Sequence, residues 1–289
     1  MKRSFFVMLL MFLPNIAVAK IIFPDTTGDE LNSIYHELTN EDVAGFRNSS
    51  EEKDRYVYAI ALLNGRSDLE LEKNCKDAIS ILKNLSLNDV YDATYALAVQ
   101  YYRGDCVTKD YDLALQYFKR SAESGYGLAQ KKLGQAYWGK TLDGLVEEND
   151  KKALYWLEKA GAYGDEESAG NVSYFYREGV GVQIDPQKSF CWQKRSAFAK
   201  YSSVKGIGFL KLAEYYESGY GTEVNLVKAY TYYDLSGTAG SEGKSRLRKK
   251  LADNEIEKAI NASREWQEKN NTFVRSYHHL QRQSDGSYR

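Results

Sequence analysis

Between Ala93 and Gly240 the chain sets apolar and small residues among polar ones in a pattern that recurs four times. Each copy opens on a small residue: Ala93, Ala129, Ser168 or Gly208. An apolar residue stands four positions on (Leu97, Leu133, Val172, Leu212), followed at once by a small one (Ala98, Gly134, Ser173, Ala213). Tyrosine comes eight after every opening residue, at Tyr101, Tyr137, Tyr176 and Tyr216. Positions 0, +4 and +8 line one face of a helix. Glycines such as Gly179 and Gly181, or Gly219 and Gly221, then break the chain. A second helix is predicted to start at a polar cap, Asp110, Asn149, Asp185 or Asn225, whose side chain accepts from the free N–H groups of the first turn. Pro186 follows its cap at the first helical position, where a missing N–H costs nothing. Four residues after each cap comes a second small residue (Ala114, Ala153, Ser189, Ala229), and three further a large aromatic (Tyr117, Trp156, Trp192, Tyr232). Each copy therefore predicts two antiparallel helices. One such pair cannot bury its apolar face alone, so the copies must stack into an all-α solenoid with a shared core.

The same reading divides the rest of the chain. Residues 56–92 predict a degenerate repeat: Asn74 lies four before Ala78, with Ile79, Ile81, Leu82 and Leu85 behind it, but the first helix lacks the tyrosine. Residues 241–270 drop the pattern yet keep helical spacing in Leu247, Leu251, Ile256, Ala259, Ile260 and Trp266, which predicts one or two capping helices. Residues 271–289 form a polar tail, and residues 20–55 an N-terminal segment. Residues 1–19 read as a secretory signal. Lys2 and Arg3 precede an apolar stretch too short to span a bilayer, and Ala17 and Ala19 place cleavage near Ala19. A periplasmic or secreted chain with no membrane span is expected.

The repeated pattern, including Lys152-Ala153-Leu154-Tyr155-Trp156 and Val227-Lys228-Ala229-Tyr230, resembles the Sel-one-like repeat, a bacterial relative of the tetratricopeptide repeat. The resemblance covers roughly residues 56–240. It implies a solenoid whose concave surface binds other proteins, without catalysis. The chain departs from it in the loop 139–149, at Lys200, and at Cys106, which replaces the second loop glycine.

In solenoids of this kind the first helices line the concave surface. Positions +3, +6 and +10 point away from the core, so the groove is expected at Arg103, Lys132, Gln135, Asn171, Tyr174, Glu178, Lys211 and Glu214, together with Ala96, Val99, Gly139 and Ser218. Most of the 24 tyrosines and four tryptophans occupy packing positions; exposed Tyr174 is the expected anchor. The search for chemistry yields no catalytic residue, metal site or cofactor. The three histidines are His36 and the adjacent His278 and His279, which cannot share a helical face as a metal pair does. Glu147-Glu148 and Glu166-Glu167 read as solvated loop charge, and a hydrolytic or carbohydrate-binding cleft would have to come from the insertion at 139–149.

Three cysteines in an oxidising compartment allow one disulfide. Sequence leaves the connectivity open. Stacking brings the loops of Cys75 and Cys106 together, which favours that pair and leaves Cys191 as a buried thiol beside Trp192. The formal net charge is −1, or −3 once Lys2 and Arg3 are lost, and nucleic acid is not an expected partner. Residues 244–289 hold eleven basic and six acidic side chains, with Arg246, Arg248, Lys249 and Lys250 expected to face solvent. The reading is an exported, monomeric, non-catalytic scaffold for a protein partner. A toxin neutralised by this chain as an immunity protein is the first form of it; an envelope-signalling adaptor and a host-interacting factor are the alternatives.

Overall fold

The computed structural model describes residues 19–202, 206–270 and 272. The expected signal segment, His278 and His279 and nearly all of the polar tail lie outside them. The degenerate repeat is α3 (Glu52–Asn64) and α4 (Cys75–Leu87), preceded by two short helices, α1 (Asp29–Glu37) and α2 (Asn40–Arg47). The four repeats are α5 (Tyr91–Arg103) with α6 (Tyr111–Glu123), α7 (Gly127–Tyr137) with α8 (Asp150–Tyr163), α9 (Glu166–Glu178) with α10 (Pro186–Ala197), and α11 (Ile207–Ser218) with α12 (Leu226–Leu235). Two capping helices follow, α13 (Ser241–Leu247) and α14 (Asp253–Lys269). Each helix packs on its partner and then on the next repeat, with α14 against α12, so the array is a solenoid.

The repeated residues do in space what their spacing requires. Ala93, Ala129 and Ser168 are fully buried, as are Leu97, Leu133, Val172 and Leu212 four positions on. Small residues let the helices approach: a Cβ on Gly134 would lie 2.7 Å from Leu157, and one on Gly208 2.6 Å from Ala197. The caps Asp110, Asn149, Asp185 and Asn225 each accept from the N–H three residues on, at 2.9 Å in all four. In the last three repeats that residue is a lysine whose ammonium also sits over the +8 tyrosine: Lys152 over Tyr137, Lys188 over Tyr176 and Lys228 over Tyr216, at 5.0–5.3 Å. Tyr101 stacks on Tyr117 and Tyr216 on Tyr232, filling the space within their repeats.

In three of the four repeats the residue thirteen after the opening position meets the start of the preceding second helix. In repeats three and four this residue is glycine with positive φ. A Cβ on Gly181 would lie 2.5 Å from that of Asp150, the first residue of α8, and one on Gly221 1.9 Å from the carbonyl oxygen of Pro186, the first residue of α10. In repeat one the position is Cys106, and it is bonded to Cys75, the first residue of α4, with the Cα atoms 5.0 Å apart. The disulfide thus makes covalently, for the degenerate repeat, the contact that glycine makes by close approach elsewhere. In repeat two Leu142 holds the place with φ +55°, and the insertion folds inward, with Leu145 buried.

Several expectations fail. Cys191 is exposed rather than buried, because α10 turns Ser189, Gln193 and Ser196 inward and Cys191 lies on the other side of the helix. Ala96 is buried in the N-terminal core cluster and lines no groove, and Val99, also expected there, packs partly buried against the next cluster. Arg246 and Arg248 do not simply face solvent. Arg246 pairs with Glu217 at 2.7 Å and Arg248 donates to the Tyr230 hydroxyl at 3.1 Å, fastening the C-terminal cap to repeat four.

Candidate functional site

The surface of the four first helices is built in three stretches. The first, over α5 and α7, is crossed by the N-terminal segment. Lys20 bridges to Val90, its carbonyl accepting from the Tyr91 N–H at 3.0 Å. The next amides, Ile22 and Phe23, both donate to the carboxylate of Asp92, at 2.8 and 2.9 Å. Phe23 is buried against Tyr56, and the Thr26 hydroxyl donates to Asp165 on the third repeat at 2.7 Å. Asp25 then takes the N–H groups of Thr27, Asp29 and Glu30 and starts α1. Residues 20–27 thus form a strap that ties repeats one to three together. Sequence reasoning missed it because its anchors are backbone amides, which leave no signature in residue type; the polar Asp92 beside a core Ala93 was the available hint.

Asp92 is fully buried, and among the described residues no cation pairs with it. Burial pushes its carboxyl up to about 6, against the pull of the two amides and the Tyr126 hydroxyl. A raised value means that folding favours the protonated acid. The contribution of Asp92 is complete below about pH 4 and is lost as the pH rises through about 6. Urea unfolding of the wild type and of Asp92→Asn at stepped pH should therefore diverge across this window. The wild type should lose about 2 kcal/mol relative to the variant between its ends. Parallel pH profiles would show that Asp92 titrates normally.

The second stretch, between α7 and α9, is closed by charge. The Lys131 ammonium lies 3.1 Å from Asp165 and 2.8 Å from Glu167, and Gln135 donates to Glu167 at 2.7 Å. Asp165 also caps α9 through the Ser168 N–H, at 2.7 Å. Beside this network Trp138 lies 5.9 Å from Tyr174, which is 39% exposed, and the Arg177 guanidinium stands 5.5 Å from the Tyr174 ring.

The third stretch, between α9 and α11, is a cleft of about 360 Å³. Its walls include Lys131, Glu166, Asn171, Lys211, Tyr201 and the strap's Thr27. Glu166 accepts from the Ser202 hydroxyl and, at 3.1 Å, from the Gly208 N–H at the start of α11; burial raises its carboxyl. The pair Glu166 and Glu167, read from sequence as loop charge, instead begins α9 and joins three repeats. Converging carboxylates come from here and not from the insertion.

The structure brings the expected groove residues onto consecutive first helices. Arg103 ends α5; Lys132 and Gln135 lie on α7; Asn171, Tyr174 and Glu178 on α9; Lys211 and Glu214 on α11. Asn171 and Lys211 share the cleft, Gln135 reaches Glu167, and Lys211 pairs with Glu214. Glu178 pairs with its neighbour Arg177 at 2.7 Å. Among the described residues no group of His, Cys, Asp and Glu is arranged to hold a metal ion, and no helix is long and apolar enough to cross a membrane.

Comparison with known proteins agrees with this architecture. The Sel1 repeat matches residues 92–126, 127–165, 167–197 and 210–241. Two curated proteins of Schizosaccharomyces pombe are similar over part of their length. Chitin synthase regulatory factor 3 is 31% identical over 90 residues, 31% of this chain and 9% of that protein. Chitin synthase regulatory factor 2 is 24% identical over 186 residues, 61% of this chain and 35% of that protein. Among solved structures, c5321, described as a protective antigen of uropathogenic Escherichia coli with an SLR fold, superposes with a TM-score of 0.60 at 25% identity, covering 85% of this chain and 54% of that one. A Sel1 repeat protein from Oxalobacter formigenes gives 0.54 at 22% identity, covering 73% and 83%, and shares the fold. Four matched repeats in unbroken order, stacked as antiparallel helix pairs, place the chain in the Sel1-like repeat family, as an all-α solenoid.

Proposed function

We propose that the mature chain, exported after cleavage near Ala19, binds one protein partner across the surface of α5, α7, α9 and α11 and performs no chemistry of its own. One observation carries this reading: the first helices carry polar and aromatic side chains, among them Arg103, Gln135, Glu214 and the exposed Tyr174, outside the buried positions of the repeat. A stacked, strapped array offers this surface preformed, so little conformational freedom is lost on docking. The carboxylates of the cleft already hold helix ends and a lysine, which suits a binding surface better than a hydrolase. A disulfide supports a location outside the cytosol, and the description of the E. coli neighbour as a protective antigen points the same way. Within this reading the chain neutralises a toxin delivered to the periplasm. An envelope-signalling adaptor or a factor engaging a host protein would use the same surface.

The test is affinity capture from periplasmic extract with the chain from Lys20, beside the variant Tyr174→Ala, Gln135→Ala, Glu214→Ala. One dominant partner should be captured and lost in the variant, and its identity then chooses among toxin, envelope and host proteins. A partner retained by the variant would move the site off the first helices.

A further inference from the structure

Residues 20–27 show how the first helices hold an extended chain. The strap passes the N-terminal ends of α5, α7 and α9 in turn. At α5 the Ile22 and Phe23 amides donate to Asp92, at 2.8 and 2.9 Å. At α7 the strap touches backbone: a Cβ on Gly127, the first residue of that helix, would lie 2.8 Å from the Thr26 methyl carbon. At α9 the Thr26 hydroxyl donates to the cap Asp165 at 2.7 Å. Gly28, at φ +81°, then turns the chain into α1, which packs back on α3. The strap therefore ends one repeat short, with Thr27 on the wall of the cleft between α9 and α11.

The cleft continues the same line past the fourth N-terminal end. Ile207 stands directly before the opening residue Gly208, the place that Asp92 holds before Ala93. Asp92 is fully buried beneath the strap, whereas Ile207, the first residue of α11, is 62% exposed. An isoleucine left in water there adds almost nothing to the stability of the free chain. The charged side chains of the cleft already have partners. Lys131 pairs with Asp165 and Glu167, Lys211 pairs with Glu214, and Glu166 accepts from Ser202 and the Gly208 N–H. Asn171, half-buried on the wall formed by α9, makes no hydrogen bond among the described residues. What the cleft leaves open is thus a neutral carboxamide and an apolar side chain. A carboxamide matches a peptide group, donating to its carbonyl and accepting from its N–H. A charged side chain seated there would lose its water without gaining a partner.

Resting on the partner surface proposed above, we propose that the cleft receives an extended, uncharged segment of the protein partner, laid end to end with the strap. One of its apolar side chains covers Ile207, and its main chain pairs with the Asn171 carboxamide. The strap sets the precedent at Asp92, where main-chain amides rather than side chains make the bonds. Main-chain pairing supplies affinity in this mode, and the side-chain contact supplies selection. Because the strap already covers the helix starts of the first three repeats, this segment meets the fourth, while the rest of the partner meets the outward side chains of the surface.

The test places the photo-crosslinking residue benzoylphenylalanine at position 207, with position 184 as control. Ile184 is equally exposed but lies in the loop between α9 and α10, off this line. After irradiation in periplasmic extract, position 207 should crosslink one short uncharged stretch of the partner, mapped by mass spectrometry, and position 184 should not. Ile207→Ser should weaken binding of that partner at least about tenfold and leave the Tm of the free chain within about 1 °C. Ile184→Ser should leave the affinity unchanged. A labelled synthetic peptide of the mapped stretch should bind in fluorescence anisotropy and lose at least about fivefold in affinity with Asn171→Leu. The assignment falls if position 184 crosslinks as well as position 207, if the mapped stretch is charged, or if Ile207→Ser or Asn171→Leu keeps the affinity. A partner lost on substitution of Tyr174, Gln135 and Glu214 but neither crosslinked at position 207 nor weakened by Ile207→Ser would overturn the cleft and leave the surface intact. A partner indifferent to both sets, or no partner at all, would overturn both.

Discussion

Gly221→Ala should lower stability by about 4 kcal/mol, the largest effect expected of any single methyl group added to this chain. Two causes add. The residue has φ +69°, a conformation that strains any L side chain, and its new Cβ would lie 1.9 Å from the carbonyl oxygen of Pro186, which as helix backbone cannot step aside. Repeat four would have to lift away from α10. Gly125→Ala separates the two causes: its φ is +94°, but a Cβ there meets nothing within 4 Å, so it should cost only about 1–2 kcal/mol. Urea unfolding followed by circular dichroism measures both. Equal losses would mean that the loop-to-helix approach is not a tight joint of the array.

Replacing Cys75 and Cys106 together by serine removes the covalent version of the same joint. The bond closes a loop of 31 residues, for which chain entropy gives roughly 3–4 kcal/mol. In a stacked array the loss should stay local, because each repeat is held mainly by its neighbours. Hydrogen exchange of the double variant, or of the wild type under reductant, should show α3 and α4 opening first while α9 to α12 keep their protection. A uniform loss along the array would mean that the repeats open as one unit rather than locally. The strap across Asp92 is the second tie on this end, so combining the cysteine changes with Asp92→Asn should release α3 and α4 further than either alone.

Much of this architecture is legible in the residues. Helix pairs, caps and close approaches follow from spacing because a repeat imposes one local environment four times. A small residue at position 0 or +5 has a single explanation when Ala93, Ala129, Ser168 and Gly208, or Ala98, Gly134, Ser173 and Ala213, are all buried. The candidate surface was legible only in outline. Helical geometry put Gln135, Asn171, Tyr174 and Lys211 on one side of their helices, but it placed Ala96 there as well, and that residue is buried by the N-terminal core. The periodic pattern describes how repeats meet each other and is silent about what else packs on them.

The sequence by itself determined the helices and their stacking, since those depend on contacts between neighbours at fixed spacing. Only the tertiary structure decided what spans several repeats. Residues 20–27 reach from α5 to α9 through the amides of Ile22 and Phe23 and the hydroxyl of Thr26, and Lys131, Asp165 and Glu167 meet across two repeats. These contacts join residues tens of positions apart with no period. Their meaning rests on distance and burial, which a line of residues does not carry.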